Sequence, residues 1–421
     1  MPDLPLLTPT ADQLAWQQRR VGLFFHVGIN TYFAKEWSDG TLPASAFDPV
    51  ELDVDGWMEV AVAAGARYVI LTAKHHDGFC LWPTETTAYG VASSPWRAGR
   101  GDLVGEFAAA ARRHGLAVGL YLSPWDRNAD CYADPVAYSR FYRSQLTELC
   151  TRYGELAELW FDGAGSEGYA YDWPAIMDVV HTHQPRAMVF NMGSPTIRWV
   201  GNEDGLAAEP VDYVVSRTQF SNYTVVASDL TQALYLPPEC DVSVRRGWFW
   251  AEHDEPKTVE HLLAIYYRSV GLGANLLLNV PPDREGRIDP ADAAVVRAFG
   301  SEVDRRFGAP VAARLDHDAA DLVIAELPEV TSFDHLWLEE ELVAGQRIRT
   351  HRVLLDGAAI AGGSTVGATR IHPVGPQRTR RLEIELTGDD PRLLTVHVHR
   401  TGVATVEQLP DGYVAPTDAP D

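Results

Sequence analysis

Tyr68-Val69-Ile70-Leu71-Thr72-Ala73-Lys74-His75-His76-Asp77-Gly78-Phe79 is the stretch whose reading decides the fold. Its first five residues are apolar, aromatic or β-branched without a polar alternate, the pattern of a strand buried on both faces of a parallel sheet. The polar run His75-His76-Asp77 stands where such a strand stops. A second stretch repeats the arrangement: residues 156–160 are largely apolar, and Phe161-Asp162-Gly163 follows Trp160. In parallel α/β folds the carboxyl ends of the strands open onto loops that form a cleft above a rigid base, and catalytic side chains collect there. Two such ends, rich in His, Asp and Trp, point to an enzyme that acts on a polar, uncharged ligand.

Working outward, the first 308 residues alternate strands and helices. Strands are expected over 22–27, 67–72, 118–122, 156–161, 188–190 and 274–280. Helices are expected over 56–64 (Asp53 or Asp55 as cap, Gly65 as stop), 102–114, 135–153, 173–183 and 258–270, with a last one opened by Asp289-Pro290. Units recurring about every 30 to 50 residues predict a (β/α)8-type barrel. Residues 205–250 fit this rhythm poorly and read as long active-site loops. After residue 308 the period changes to two: Leu336 and Leu338, then Leu382, Ile384 and Leu386, then Val396 and Val398 alternate with polar residues. With turn signals at Asp356-Gly357 and Gly362-Gly363, this predicts an antiparallel β-sandwich over 309–408, with His397 and His399 on its solvated face. A Pro- and Asp-rich tail over 409–421 reads as loose. The domain organisation expected is therefore a catalytic barrel over 1–308, a sandwich over 309–408 and that tail.

Composition narrows the function. With 421 residues and 46% hydrophobic content the chain can bury a sizeable core. A net charge of -23 argues against nucleic acid and anionic membrane surfaces as partners, because both would repel it. Cys80, Cys131, Cys150 and Cys240 form no CxxC pair and read as reduced thiols. The start, Met1-Pro2-Asp3-Leu4-Pro5, shows no signal-peptide pattern, so a cytoplasmic location is expected. Twelve Trp and sixteen Tyr supply flat, half-polar surfaces suited to sugars. No feature of the sequence specifies an oligomeric state.

Three chemistries compete for the strand ends. A metal hydrolase needs several ligands converging on one point. Adjacent His75 and His76 are expected to diverge across an extended strand, the first strand offers only His26, and His181-Thr182-His183 sits at a helix end, so no metal or other cofactor is expected. Serine or cysteine nucleophiles lack the Gly-x-Ser-x-Gly elbow or an evident activator. Paired carboxylates remain, and glycoside cleavage needs two: one to attack or stabilise the anomeric carbon, one to protonate the leaving oxygen. Asp162 closes a buried strand, where an idle carboxylate would cost desolvation energy. Glu203 in Trp199-Val200-Gly201-Asn202-Glu203 follows the next strand; Glu209 and Glu239 are rivals for the acid, and Asp77 could instead orient a histidine.

In this context the chain resembles glycoside hydrolase family 29, the retaining α-L-fucosidases, over about residues 15–305. The matching stretches are Phe24-Phe25-His26-Val27-Gly28, Glu36-Trp37, Lys74-His75-His76-Asp77-Gly78-Phe79, Gly119-Leu120-Tyr121-Leu122-Ser123-Pro124, Trp160-Phe161-Asp162-Gly163, Gly247-Trp248-Phe249 and Asn275-Leu276-Leu277-Leu278-Asn279-Val280. The resemblance implies Asp162 as nucleophile and His26, Glu36, Trp37, His75, His76 and Tyr121 as residues that hold fucose; Trp160 and Trp248 join them as sugar-facing aromatics, and Trp37 or Trp248 could wall the 6-methyl group. Arg198-Trp199-Val200-Gly201-Asn202-Glu203 resembles the branch selective for α-1,3/1,4-linked fucose on branched oligosaccharides, which implies Glu203 as acid/base. The partners expected are fucosylated oligosaccharides or glycoconjugates. A broad-specificity fucosidase and a non-catalytic carbohydrate-binding barrel are the alternatives.

Overall fold

The computed structural model describes residues 7–219, 227–319, 321–403 and 405–410. Eight parallel strands make the first sheet: β1 (Val21–Phe25), β2 (Tyr68–Lys74), β3 (Ala117–Leu122), β4 (Glu158–Trp160), β5 (Met188–Phe190), β6 (Arg198–Trp199), β9 (Pro238–Ser243) and β10 (Asn275–Asn279). Their order is β5-β4-β3-β2-β1-β10-β9-β6, and a parallel bridge from Phe190 to Ile197 brings the two ends together. The result is the predicted barrel. Between β6 and β9 lies an antiparallel hairpin, β7 (Val214–Gln219) with β8 (Ala227–Tyr235).

Among the described residues six crossover helices clothe it: α2 (Val54–Ala63), α3 (Leu103–Arg113), α4 (Pro135–Arg152), α5 (Trp173–His183), α6 (Val259–Arg268) and α7 (Pro290–Phe307). α1 (Ala11–Gln17) precedes the first strand. An aspartate caps five of the six by accepting from a first-turn N–H, as Asp53 does from Gly56 at 2.9 Å and Asp102 from Gly105 at 2.9 Å. α4 and α7 place proline first, where no intrahelical donor is lost. Among the described residues no helix is long and apolar enough to cross a membrane.

The region expected to be loops, 205–250, instead holds the hairpin and β9. The search for continuous apolar runs, the mark of the other barrel strands, missed β9 because every second residue of Pro238-Glu239-Cys240-Asp241-Val242-Ser243 is polar and points into the barrel, while all six are buried. Residues 220–226 of that region lie outside the described residues. Strand alternation divides the core into two layers. Leu23, Phe25, Val69, Leu71, Val242 and Val244 pack outward against the helices. Phe24, Tyr68, Ile70, Tyr121, Trp160, Phe190, Trp199 and Leu277 fill the interior, and Trp16 of α1 belongs to the same cluster.

The second sheet is antiparallel: β11 (Val311–Ala312), β12 (Arg314–Ala319), β13 (Leu322–Glu340), β14 (Ile348–Leu355), β15 (Ala358–Gly363), β16 (Arg370–Gly388) and β17 (Leu393–His399). The 19-residue strands β13 and β16 pair in two stretches separated by bulges. One half joins β12, β14 and β15, the other β17 and β11, which gives the two layers of a sandwich. All seven alternating residues named from the sequence are in its core. Asp356-Gly357 is the expected two-residue hairpin loop, both with positive φ (50° and 79°). Gly362-Gly363 is not a turn but the end of β15, paired with Arg352 and His351. His399 is also not solvated. It packs on Phe307 and Trp337, ring centroids 5.2 and 6.0 Å away, because this face of the sandwich docks against α6 and α7. His335 lies in the same junction with its Nε2 3.0 Å from the Tyr267 hydroxyl. From residue 411 the expected loose tail lies outside the described residues.

Candidate active site

The carboxyl ends of β1 to β4 bring together the residues singled out from the sequence. Asp162 lies two residues past β4, between interior Trp160 and the turn at Gly163. Its Oδ2 accepts from the Tyr121 hydroxyl at 3.0 Å and lies 3.5 Å from His76 Nε2; its Oδ1 accepts from the Ala164 N–H at 2.9 Å. Burial pushes the Asp162 carboxyl up, but the hydrogen bond and charge of His76, the Ala164 N–H and the Tyr121 hydroxyl outweigh it and hold the group below its ordinary value. The side chain is still 26% exposed, so an ionised oxygen faces the cleft. That is the state a nucleophile requires.

His76 is oriented from behind. Its Nδ1 lies 2.7 Å from Ser123 Oγ, whose own hydrogen goes to the Trp125 carbonyl at 2.7 Å, so Nδ1 donates and Nε2 is turned toward Asp162. The expected divergence of His75 and His76 is overturned: their ring centroids are 4.1 Å apart. β2 stops at Lys74, and the next residues turn, so strand alternation no longer applies to them. His75 stacks on Tyr121 (5.7 Å, 12°) with Nδ1 4.0 Å from Asp77 Oδ2. Burial, with His76 and His26 adding, holds its imidazole well below the usual value, so it is neutral. Burial likewise pushes His26 down to about 3, against the opposing hydrogen bond to Asn279. Its Nδ1 lies 2.9 Å from Asn279 Oδ1. Neutral imidazoles present one donor and one acceptor each, which suits a hydroxylated ligand. Among the described residues no three His, Cys, Asp or Glu side chains are placed to hold a metal ion.

Glu36 and Trp248 close the opposite wall. Glu36 Oε2 accepts from the Trp248 N–H at 2.8 Å, and the Trp248 carbonyl accepts from Asn279 Nδ2 at 2.8 Å. Gly247 makes this possible, since a Cβ there would stand 2.2 Å from Glu36 Oε1. The Trp248 ring is 5.1 Å from His26, and Trp37 sits edge-on to His76 (5.4 Å) and Trp125 (5.5 Å). Phe249, Asn279, Ser123 and Trp125 also shape the site without having been singled out. All but Trp125 stand inside the quoted stretches, which was the available signal.

Trp160 lies deeper than a sugar-facing role suggests. It stacks on Phe190 (3.8 Å, 12°) and its Nε1–H donates to Glu239 Oε2 at 2.9 Å, so only its ring is left for a ligand. Glu239 itself is at the amino end of β9, fully buried, and also accepts from the Tyr68 hydroxyl at 2.5 Å. Burial raises its carboxyl and that of neighbouring Glu158, which accepts from Trp16 Nε1 at 2.8 Å. Glu209 faces the sandwich, where it accepts from Ser364 Oγ at 2.9 Å and pairs with Arg370. Neither rival stands on the strand-end rim. Glu203 is half-buried in the loop just past β6, on the same rim as Asp162.

Comparison with known proteins bears on this geometry. The alpha-L-fucosidase family model matches residues 36–305. Alpha-L-fucosidase 1 of Arabidopsis thaliana is 36% identical over 440 residues, covering 93% of this chain and 86% of that protein. Among solved structures, a glycoside hydrolase 29 family member from an unknown rumen bacterium superposes with a TM-score of 0.84 at 31% identity, over 100% of this chain and 80% of that one. A Ruminococcus gnavus GH29 fucosidase in complex with fucose gives 0.82 at 27% identity, over 97% of both chains.

Proposed function

The chain belongs to the alpha-L-fucosidase family, glycoside hydrolase family 29, and from that premise we propose that it is a retaining exo-α-L-fucosidase acting by double displacement. The observation that carries this reading is the setting of Asp162: an ionised, partly exposed carboxylate at a strand end, steadied by His76, Tyr121 and a backbone N–H. In the first step an Asp162 oxygen attacks the anomeric carbon while Glu203 gives its proton to the departing glycosidic oxygen. A covalent fucosyl-enzyme results. In the second, Glu203 takes a proton from water, the water oxygen attacks the same carbon, and Asp162 leaves, so two inversions give net retention. His26, Glu36, His75 and His76 bond the sugar hydroxyls, and the Trp248 and Trp37 rings face its apolar edge.

The preferred substrates are oligosaccharides carrying fucose α-1,3- or α-1,4-linked to a residue that also bears galactose. This finer reading rests on the resemblance of residues 198–203. The contacts with the second branch are expected on the segments from Arg198 to Glu209 and from Glu239 to Trp250, rich in Trp and carboxylates; within them the loops at 200–205 and 244–250 follow β6 and β9, whereas 239–243 is strand and Glu209 lies at the sandwich junction. Asp162→Ala is expected to lose nearly all activity and to recover some with azide, giving β-fucosyl azide. Glu203→Ala is expected to lose oligosaccharide cleavage while keeping activated aryl fucosides as substrates for glycosylation, with azide giving the α-azide. Branched trisaccharides are expected to be cleaved with higher kcat/KM than α-1,2-linked fucosyl-galactose. Near-normal activity of Asp162→Ala sinks the mechanism; equal or better use of the α-1,2 compound sinks the linkage preference alone.

A further inference from the structure

The loop that carries Glu203 leaves from β6, a strand of two residues, so backbone pairing alone holds it weakly. Arg198 and Trp199 pair with Pro238 and Glu239, the Val200 N–H donates to the Glu239 carbonyl at 3.0 Å, and the Trp199 N–H to Asn191 Oδ1 at 3.2 Å. Beyond these the chain turns on Asn202, whose Oδ1 accepts from the N–H groups of Asp204 (3.1 Å) and Leu206 (3.3 Å) while its Nδ2 donates to the Leu206 carbonyl (2.8 Å). That turn closes on itself, and past it the chain rejoins the barrel where the Ala207 N–H donates to the Arg268 carbonyl of α6 at 2.9 Å; on its near side the Trp199 side chain is the anchor that enters the barrel interior. The indole enters the interior layer, 8% exposed, and its Nε1–H donates to Asp241 Oδ1 at 2.7 Å. Asp241 is 3% exposed and stands on β9 one inward position above Glu239.

We propose that Asp241 is a positioning residue: by gripping the Trp199 indole it fixes the near side of the loop on which Glu203 stands. The inference rests on the reading of Glu203 as acid/base. A charged carboxylate is poorly suited to this place. Burial raises the Asp241 carboxyl well above its ordinary value despite the Trp199 hydrogen bond, and the nearby charges of Glu239 and Asp162 push the same way. An ionised Asp241 would in turn raise the Asp162 nucleophile, whose work requires the opposite. A neutral acid keeps one oxygen as acceptor for the indole and adds no field to the cleft.

The inference separates from a merely structural role by leaving-group dependence, because a displaced acid matters most when the leaving group is poor. Asp241→Asn, Asp241→Ala, Trp199→Phe and Glu203→Ala would be compared by kcat/KM on a fucosylated oligosaccharide and on a nitrophenyl fucoside. Asp241→Asn keeps a neutral acceptor and is expected to stay within about threefold of the parent on both substrates. Asp241→Ala and Trp199→Phe are expected to lose about tenfold or more on the oligosaccharide and less than about threefold on the aryl fucoside. Trp199→Phe keeps an aromatic ring in the layer, so it decides the matter if Asp241→Ala does not fold. Equal losses on the two substrates, or an Asp241→Asn variant as damaged as the alanine one, overturn the inference while a leaving-group signature in Glu203→Ala leaves the acid/base reading intact. Absence of that signature in Glu203→Ala removes the acid/base reading and this inference with it.

Discussion

Asp77 shows how a single buried carboxyl can be read from its neighbours. Its Oδ1 accepts from the Phe79 N–H at 2.7 Å and its Oδ2 from Asn30 Nδ2 at 3.1 Å, which organises the turn after His75 and His76. Burial nevertheless pushes its carboxyl up from 3.8 to about 6, against the Phe79 hydrogen bond. The native state therefore keeps this proton over a range where the unfolded chain has lost it. Stability from this group is fully present below about pH 4 and is lost as the pH rises to about 6, a change of about 3 kcal/mol for a shift of two units. Asp77→Asn cannot titrate, so the stability of the parent minus that of the variant is expected to fall by about that amount between pH 4 and 6. Denaturant unfolding across this range checks it, and parallel curves would refute the assignment. At this scale much of the site was legible: His26, Glu36, Trp37, His75, His76, Tyr121, Asp162 and Trp248 stand around one cleft. Asn279 and Ser123 were not singled out, because they act through the histidines they orient, and residue type carries no trace of that.

At the scale of elements, the end of β2 explains both a success and an error. The apolar run 68–72 announced a buried strand, and Lys74 closes it with no exposed surface at all. Its Nζ donates to Asp126 Oδ2 at 2.7 Å and to Gln145 Oε1 at 2.9 Å, tying the end of β2 to the loop after β3 and to α4. The Arg127 N–H donates to the His76 carbonyl at 2.8 Å across the same junction. The histidine pair turns inward because this tertiary junction ends the strand. Period-two reasoning assumes that the strand continues and so predicts divergence. β9 was missed for a related reason, since its inward positions are polar and leave no apolar run to find. Lys74→Met would leave the Asp126 carboxylate buried without its cation, so a loss of about 3–5 kcal/mol is expected. Adding Asp126→Asn should recover much of it. Thermal and denaturant unfolding of the single and double variants test this; additive losses in the double variant would show that the pair is not coupled.

Across the whole molecule, the barrel and sandwich were legible as a change of period near residue 308, but their junction was not. Period two marks which residues share a face and says nothing about what covers it. The face bearing His397 and His399 was therefore assigned to solvent, whereas it also carries His335 and Trp337 and meets the aromatic edge of α6 and α7. Trp337 and Ile371 belong to the same buried cluster as the outer core of the barrel. Further ties bridge the two parts. Arg20 pairs with Glu339 and lies over the Trp337 ring (5.2 Å), the Tyr213 N–H donates to Gln346 Oε1 at 2.9 Å, and Gln346 Nε2 donates to the Val211 carbonyl at 2.9 Å. A fragment of residues 1–308 would thus expose Tyr267 and Phe307 and leave Arg306 without Glu407, to which it donates at 2.7 Å. Large apolar surface uncovered in this way favours association over folding. The fragment is expected to be insoluble or to unfold without a cooperative transition, although every proposed catalytic residue lies within it. Expression of 1–308 beside the full chain, followed by size-exclusion chromatography and calorimetry, is the measurement. A monomeric fragment that melts cooperatively and cleaves an aryl fucoside at the parent's rate would show that the sandwich is an appendage, and that the buried aromatic junction contributes little to the stability of the barrel.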